Sequence, residues 1–168
     1  MRHILFAGIF ILMFFVVNTF ALNSEETFPS FKFESYDGTK IDNDAILKLQ
    51  IKLIIYGTPN ALSENRTQLD QILEYLKTSK CLDQLLYTIN FSSYPRLIRG
   101  IIKGQMKNNT DELGISIYAD WNGVLCDYFE LDSSHVTLFL MDNKGSILKS
   151  FYFKDATDSL KKINKLAW

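Results

Sequence analysis

The chain has 168 residues, a formal net charge of −1, two cysteines, two histidines, three prolines and 47% hydrophobic content. That length and composition fit one globular domain, and the near-even charge argues against a dominant nucleic-acid footprint, which would need a strongly basic surface. Two cysteines are too few for a disulfide-dense scaffold or a four-cysteine zinc site.

The N-terminus stands apart from the rest. Met1-Arg2-His3 is a short basic start, Ile4 to Val17 is an almost unbroken apolar run, and Thr19 and Ala21 are small residues three and one before a cut after Ala21. That three-part pattern is a secretory signal peptide over residues 1–21. Its 14 apolar residues fall short of the roughly 20 needed to span a bilayer as a helix, so cleavage leaves no integral membrane span. Retention as an uncleaved anchor, giving a membrane-tethered accessory protein, is the alternative. No cysteine lies near the cut for a lipid anchor. Removing residues 1–21 leaves a domain of 147 residues, 22–168, with net charge −2 and His135 as its single histidine.

Along that domain, residues 31–42 alternate apolar and polar around Asp37-Gly38, which predicts a β-hairpin. Ile51 to Tyr56 is a β-branched run ending at Gly57-Thr58-Pro59, a buried strand. Leu69, Ile72, Leu73 and Leu76 recur at helical spacing within 62–78, with Ser63 or Asn60 available as cap. Leu85 to Phe91 reads as a second central strand. Tyr94-Pro95 opens a helix running to Lys107 and ending in Asn108-Asn109. Ile115 to Tyr118 is a third strand, followed by a turn through Asp120-Trp121-Asn122-Gly123 and a short helix to Phe129. Val136 to Met141 turns through Asp142–Gly145 into an antiparallel partner, Ser146–Phe153. Asp155 caps a last helix whose stripe is Leu160, Ile163 and Leu166. This alternation predicts an α/β fold: a mixed central sheet with helices on both faces and an antiparallel closing edge.

The order β-α-β-α, β-β hairpin, helix resembles the thioredoxin-like three-layer sandwich with an N-terminal β-hairpin. Val136-Thr-Leu-Phe-Leu-Met-Asp-Asn-Lys-Gly145 is similar to the hairpin of secreted thioredoxin-like and peroxiredoxin-like proteins. A closer resemblance is to the YtfJ family of secreted Gram-negative proteins. Ile54 to Asn65, the Asp-x-Asn-Gly-Val-Leu pattern within Ile115 to Asp132, and the Val136–Gly145 hairpin carry it. It implies a periplasmic location, and with it little use for the glycosylation sequons at Asn65, Asn90 and Asn108.

The chemistry that this fold usually carries is missing. Thioredoxin-like enzymes place a cysteine, often Cys-x-x-Cys, where a helix dipole lowers its pKa. Here the matching stretch is Gly57-Thr-Pro-Asn-Ala-Leu-Ser-Glu64, without a thiol. The family's cis-proline position is occupied by Val136, where a cis bond would cost about 3–4 kcal/mol, so a trans bond is expected. Cys81 and Cys126 lie elsewhere in the chain. In an oxidising compartment they could form a disulfide, or remain as two free, largely buried thiols.

His135 is the one candidate for a triad, with Asp132, Ser133 and Ser134 as sequence neighbours; a surface histidine is the simpler expectation. Asp120, Asp127, Glu130 and Asp132 are acidic at high density, but their spacing does not fit a calcium loop, and a solvated acidic edge is expected. Arg96, Arg99, Lys103 and Lys107 fall at steps of three, four and four, a basic stripe with Leu97, Ile98, Ile101 and Ile102 as the opposite, packing face. The stripe could dock an acidic partner, an envelope phosphate or an anionic lipid.

The expectation is therefore a non-catalytic binding or accessory domain, with no cofactor and no metal. Its partner would be a protein or an anionic envelope component. Its contact surface would be the cleft rim of Thr58, Pro59, Asn60 and Val136, flanked by Trp121, where the start of the first long helix could also hold an anion. The alternative is a divergent thiol oxidoreductase or peroxiredoxin-like enzyme using Cys81 or Cys126.

Overall fold

The computed structural model describes residues 28–166; the signal segment and its cut after Ala21 lie outside them. An N-terminal hairpin, β1 (Lys32–Ser35) and β2 (Lys40–Asp42), runs directly into a short helix, α1 (Asn43–Lys48), that the sequence reading missed. Asp42 ends the strand and caps the helix, its carboxylate accepting from the Ala45 amide. Strand β3 (Leu53–Gly57) follows, buried along its whole length.

The expected single helix over 62–78 is two: α2 (Pro59–Glu64) and α3 (Arg66–Thr78). The break falls at Asn65, whose side-chain amide donates to the Ala61 carbonyl at 2.8 Å, a local bond that competes with continuous helix. The cap is neither Ser63 nor Asn60. It is Thr58, with Pro59 in the first turn, where proline's missing N–H is harmless.

Strand β4 (Leu85–Asn90) leads through a 3₁₀ turn at Arg96–Ile98 into α4 (Arg99–Leu113). This helix runs through Asn108-Asn109 and stops at Gly114, which takes the left-handed conformation (φ 69°) that ends a helix cheaply only in glycine. Then come β5 (Ile117–Asp120), α5 (Val124–Tyr128), the closing hairpin β6 (Thr137–Met141) and β7 (Ile147–Tyr152), and α6 (Ala156–Leu166). Asp155 accepts from the Asp158 amide, the expected cap of α6.

The seven strands form one mixed sheet in the order β2-β1-β5-β4-β3-β6-β7. β3, β4 and β5 are parallel, and β6 joins β3 antiparallel with Tyr56 opposite Thr137. Strand alternation sends side chains to two separate cores. On one face Leu53, Ile55, Tyr87, Ile89 and Ile117 pack under α2, α3, α4 and α6; on the other Ile54, Tyr56, Leu86 and Phe139 pack with the Phe28–Phe33 segment, α1 and α5. Helices thus cover both faces, and the three-layer α/β sandwich is confirmed.

Candidate functional site

The C-terminal ends of β3, β4 and β5 and the start of β6 share one edge of the sheet, the end at which parallel α/β sheets carry their sites. Three groups of side chains occupy it. They do not merge into one site.

The first is the rim at the start of α2. Thr58 Oγ1 accepts from the Ala61 amide at 3.3 Å and donates to the Ser133 carbonyl at 2.9 Å, so one hydroxyl both caps the helix and holds the loop before β6. The Ala61 amide at the start of α2 is thus met by the chain itself. Asn60 is exposed and Pro59 half-buried. Val136, expected on the rim, is 0% exposed. It lies directly over Gly57, where an added Cβ would meet Val136 Cγ2 at 3.4 Å and Leu62 Cγ at 3.3 Å. All peptide bonds among the described residues are trans, Val136 included. The cleft floor is closed by branched aliphatic packing.

The loop beside Thr58 holds Asp132, Ser134 and His135, all exposed. Ser134 Oγ and Asp132 Oδ2 lie 2.9 and 3.0 Å from the same nitrogen, His135 Nδ1. A catalytic triad needs the carboxylate on one ring nitrogen and the hydroxyl on the other. This cluster is a turn closed on itself: Asp132 also accepts from the Ser134 amide and hydroxyl, which hold its carboxyl below the usual range. No group of three or more metal-ligating side chains gathers among the described residues.

The second group surrounds Trp121. Its ring lies 5.4 Å from Phe91 and carries the Arg99 guanidinium at 4.6 Å, a cation–π contact. Its indole N–H donates to Glu34, whose other oxygen accepts from Lys103 at 2.8 Å. The hydrogen bond from Lys103 holds the Glu34 carboxyl below its ordinary value of 4.5, with Trp121 adding to it. The basic stripe is thus partly spent: Lys103 pairs with Glu34 and Lys107 with Asp111. The packing face expected behind it is also different. Ile102 and Met106 are buried, whereas Leu97 and Ile101 stand 97% and 67% exposed.

The third group is buried and was not anticipated. Asp120, expected on a solvated acidic edge, is 1% exposed. Its carboxylate accepts from the amides of Asn122, Gly123 and Leu125 at 3.1, 2.8 and 3.3 Å and from the Tyr56 hydroxyl at 3.0 Å. The Tyr56 oxygen in turn accepts from the Cys126 amide. Burial, and then the Asp120 charge, push the Tyr56 phenol well above its ordinary range. Asp127, Glu130 and Asp132 are the exposed remainder of that acidic edge.

Cys81 and Cys126 are both free. Cys81 follows α3 and packs against the helical core; Cys126 lies on α5 and packs against the opposite core. The sheet separates them, and of the two readings, a disulfide or two free thiols, the structure has two free thiols. Burial, and then the nearby Asp127, Asp120 and Asp132, push the Cys126 thiol up, away from the thiolate a nucleophile requires.

No protein-family model matches the sequence, and no curated protein does. Solved structures do share the fold. The pneumococcal exposed lipoprotein thioredoxin of Streptococcus pneumoniae superposes with a TM-score of 0.59 at 15% identity, over 82% of this chain and 100% of that one. A thio-disulfide isomerase from Thermus thermophilus gives 0.59 at 16% identity, over 85% and 95%. Yeast Sco1 gives 0.58 at 17%, over 83% and 92%. The chain is thioredoxin-like in fold, among structures that include thiol-disulfide oxidoreductases. The narrower YtfJ likeness finds no counterpart in these comparisons.

Proposed function

We propose that this chain is an exported, non-catalytic thioredoxin-like domain that works by binding, as an accessory protein of the bacterial envelope. One observation carries the reading. At the start of α2, Thr58 holds the position between helix and loop with a hydroxyl, and the nearest residues, Pro59, Asn60 and Ala61, offer no thiol. The two thiols that exist lie on opposite faces of the sheet, and Cys126 is raised in pKa, so its environment works against nucleophilic use. The export motif over residues 1–21 and the YtfJ-like segments support the location. No helix among the described residues is long and apolar enough to cross a membrane. The contact surface in this reading is the rim of Thr58, Pro59 and Asn60 with the adjoining 132–135 loop.

A second reading, a divergent thiol oxidoreductase acting through Cys81 or Cys126, draws support from the fold neighbours, which include a thio-disulfide isomerase. Insulin reduction and peroxide consumption decide between the two. The binding reading expects turnover no higher than the buffer control, unchanged in Cys81→Ala and Cys126→Ala. Turnover that either substitution abolishes would establish the enzyme instead. Sequencing the N-terminus of the exported protein tests the location, with Leu22 expected first and an intact Met1 pointing to a tether.

A further inference from the structure

The N-terminal half of α4 and the turn before it carry three features that the fold itself does not need. The first is apolar exposure. Leu97 and Ile101, four residues apart, point into solvent, Leu97 almost completely, although most large aliphatic side chains of this chain are buried. The second is relief. Gly100 and Gly104 lie between and beside them, and an added Cβ at either would meet nothing within 4 Å. Neither glycine has positive φ. Each weakens the helix relative to alanine without serving a turn or a close contact, and each leaves Leu97 and Ile101 projecting from a low surface.

The third is charge. From Gln84 to Thr110 there is no acidic residue and there are four basic ones, a local charge of +4 in a chain whose net charge is −1, so the remainder carries −5. Two of them, Arg96 and Arg99, sit at the start of a helix, where the dipole is already positive and acidic residues are favoured. The helix has no side-chain cap and no acidic residue in its first turn. Lys103 and Lys107 find carboxylates, but among the described residues Arg96 and Arg99 have none within ion-pair distance. The Arg99 Nε is moreover buried without a hydrogen-bond partner. The Arg99 guanidinium rests on Trp121 instead of a carboxylate, and Arg96 is exposed with no carboxylate partner among the described residues.

We propose that this face docks on an anionic phospholipid bilayer, with Leu97 and Ile101 seated at the acyl boundary and the arginines, Lys103 and Lys107 toward the headgroup phosphates. Projecting aliphatics beside long basic side chains match the interfacial zone of a membrane, where apolar and anionic layers lie a few ångströms apart. A second copy of the chain fits less well, since Arg96 and Arg99 of the two copies, neither paired with a carboxylate among the described residues, would repel. The acidic remainder of the domain favours this face as the one turned to the lipid. The inference goes beyond the binding role above and does not depend on the thiols.

The test places an environment-sensitive nitrobenzoxadiazole dye at position 97 (Leu97→Cys) of the exported form, residues 22–168, carrying Cys81→Ala and Cys126→Ala. A control dye sits on the exposed α3 face (Glu74→Cys). Vesicles of phosphatidylglycerol with phosphatidylcholine are expected to raise and blue-shift the emission at 97 but not at 74. Phosphatidylcholine vesicles alone are expected to do neither, and high salt to reverse the effect. Arg96→Gln is expected to weaken the apparent affinity about five-fold, the effect of one cation near an anionic surface. Ile101→Ser, at a position 67% exposed, is expected to weaken it with little change in melting temperature. No response at 97 to the anionic vesicles overturns the proposal, as does an equal response to neutral ones. A response to poly-glutamate but not to vesicles also overturns it, in favour of an acidic protein partner. Insulin reduction reads the thiols separately, so the two proposals fail independently.

Discussion

Tyr56 and Asp120, 64 residues apart in sequence, meet beneath the sheet edge with the phenol donating to the carboxylate at 3.0 Å. This contact ties β3 to the start of α5 across β4. The carboxylate satisfies three amides at the turn that no helix bond could reach, and the phenol oxygen takes a fourth.

Tyr56→Phe therefore removes a donor to a buried carboxylate and an acceptor from the Cys126 amide together. The expected loss is about 1–3 kcal/mol of unfolding free energy in urea titration. Asp120→Ala, which strands the three amides and the phenol, is expected to cost more than Tyr56→Phe. Equal stability of Asp120→Ala and wild type would show that the turn does not need its anion.

Gly123 takes φ 72°, and an added Cβ there would stand 2.8 Å from Ser92 Oγ. Gly123→Ala is expected to destabilise by about 1–2 kcal/mol from backbone strain alone, and further through the clash. Ser92→Ala in the same chain is expected to recover the part of the clash due to Oγ while leaving Ser92's Cβ contact at 3.0 Å and the backbone component, a difference that a double-mutant cycle of melting curves measures.

Thiol chemistry has its own signature. Alkylation of the folded, unreduced protein followed by mass spectrometry is expected to find two free thiols and no mass loss from a disulfide. Because burial and nearby carboxylates raise the Cys126 pKa, less of it is thiolate at any pH. It is expected to alkylate more slowly than a free cysteine at pH 8, and to reach the free rate on unfolding.

The Glu34–Lys103 pair predicts an acid dependence. Glu34 titrates below its unfolded value of 4.5 because Lys103 donates to it. The stability it contributes is thus fully present above pH 4.5 and lost as the pH falls through the lowered folded value. Lys103→Met is expected to lower the melting temperature at pH 7, with the gap from wild type narrowing below pH 4.5.

Strands were legible because burial imposes its own composition. Leu53 to Gly57 and Thr137 to Met141 are buried throughout and almost wholly apolar, as strands covered on both faces must be. Helix ends were less legible. Asn108-Asn109 looked like a stop, but the chain terminates α4 only at Gly114, where a left-handed residue is required. The site was least legible, since its contacts are long-range. Val136 and Trp121 lie at the expected edge of the sheet, yet sequence spacing could not reveal that one seals Gly57 while the other turns to Phe91, Arg99 and Glu34. Asp120 carried one available signal: an aspartate two residues before Asn-Gly commonly accepts from the amides that follow it. Counting it among its acidic neighbours hid that. The helical repeat around Arg99 likewise assigned Leu97 and Ile101 to the packing face, although a 3₁₀ turn precedes α4 and shifts the phase of the apolar residues.

The Thr58 hydroxyl, bonded at once to the Ala61 amide and the Ser133 carbonyl, bears on how this lineage could change. A cysteine at 58 would give up most of the helix cap and release the loop before β6 in the same step, since a thiol is a weak donor and a weak acceptor. It would also appear beneath a valine that already fills the space over Gly57. Thr58→Cys is therefore expected to loosen both ends of the tie at once, and a thiol gained at this helix start would come with a less stable domain.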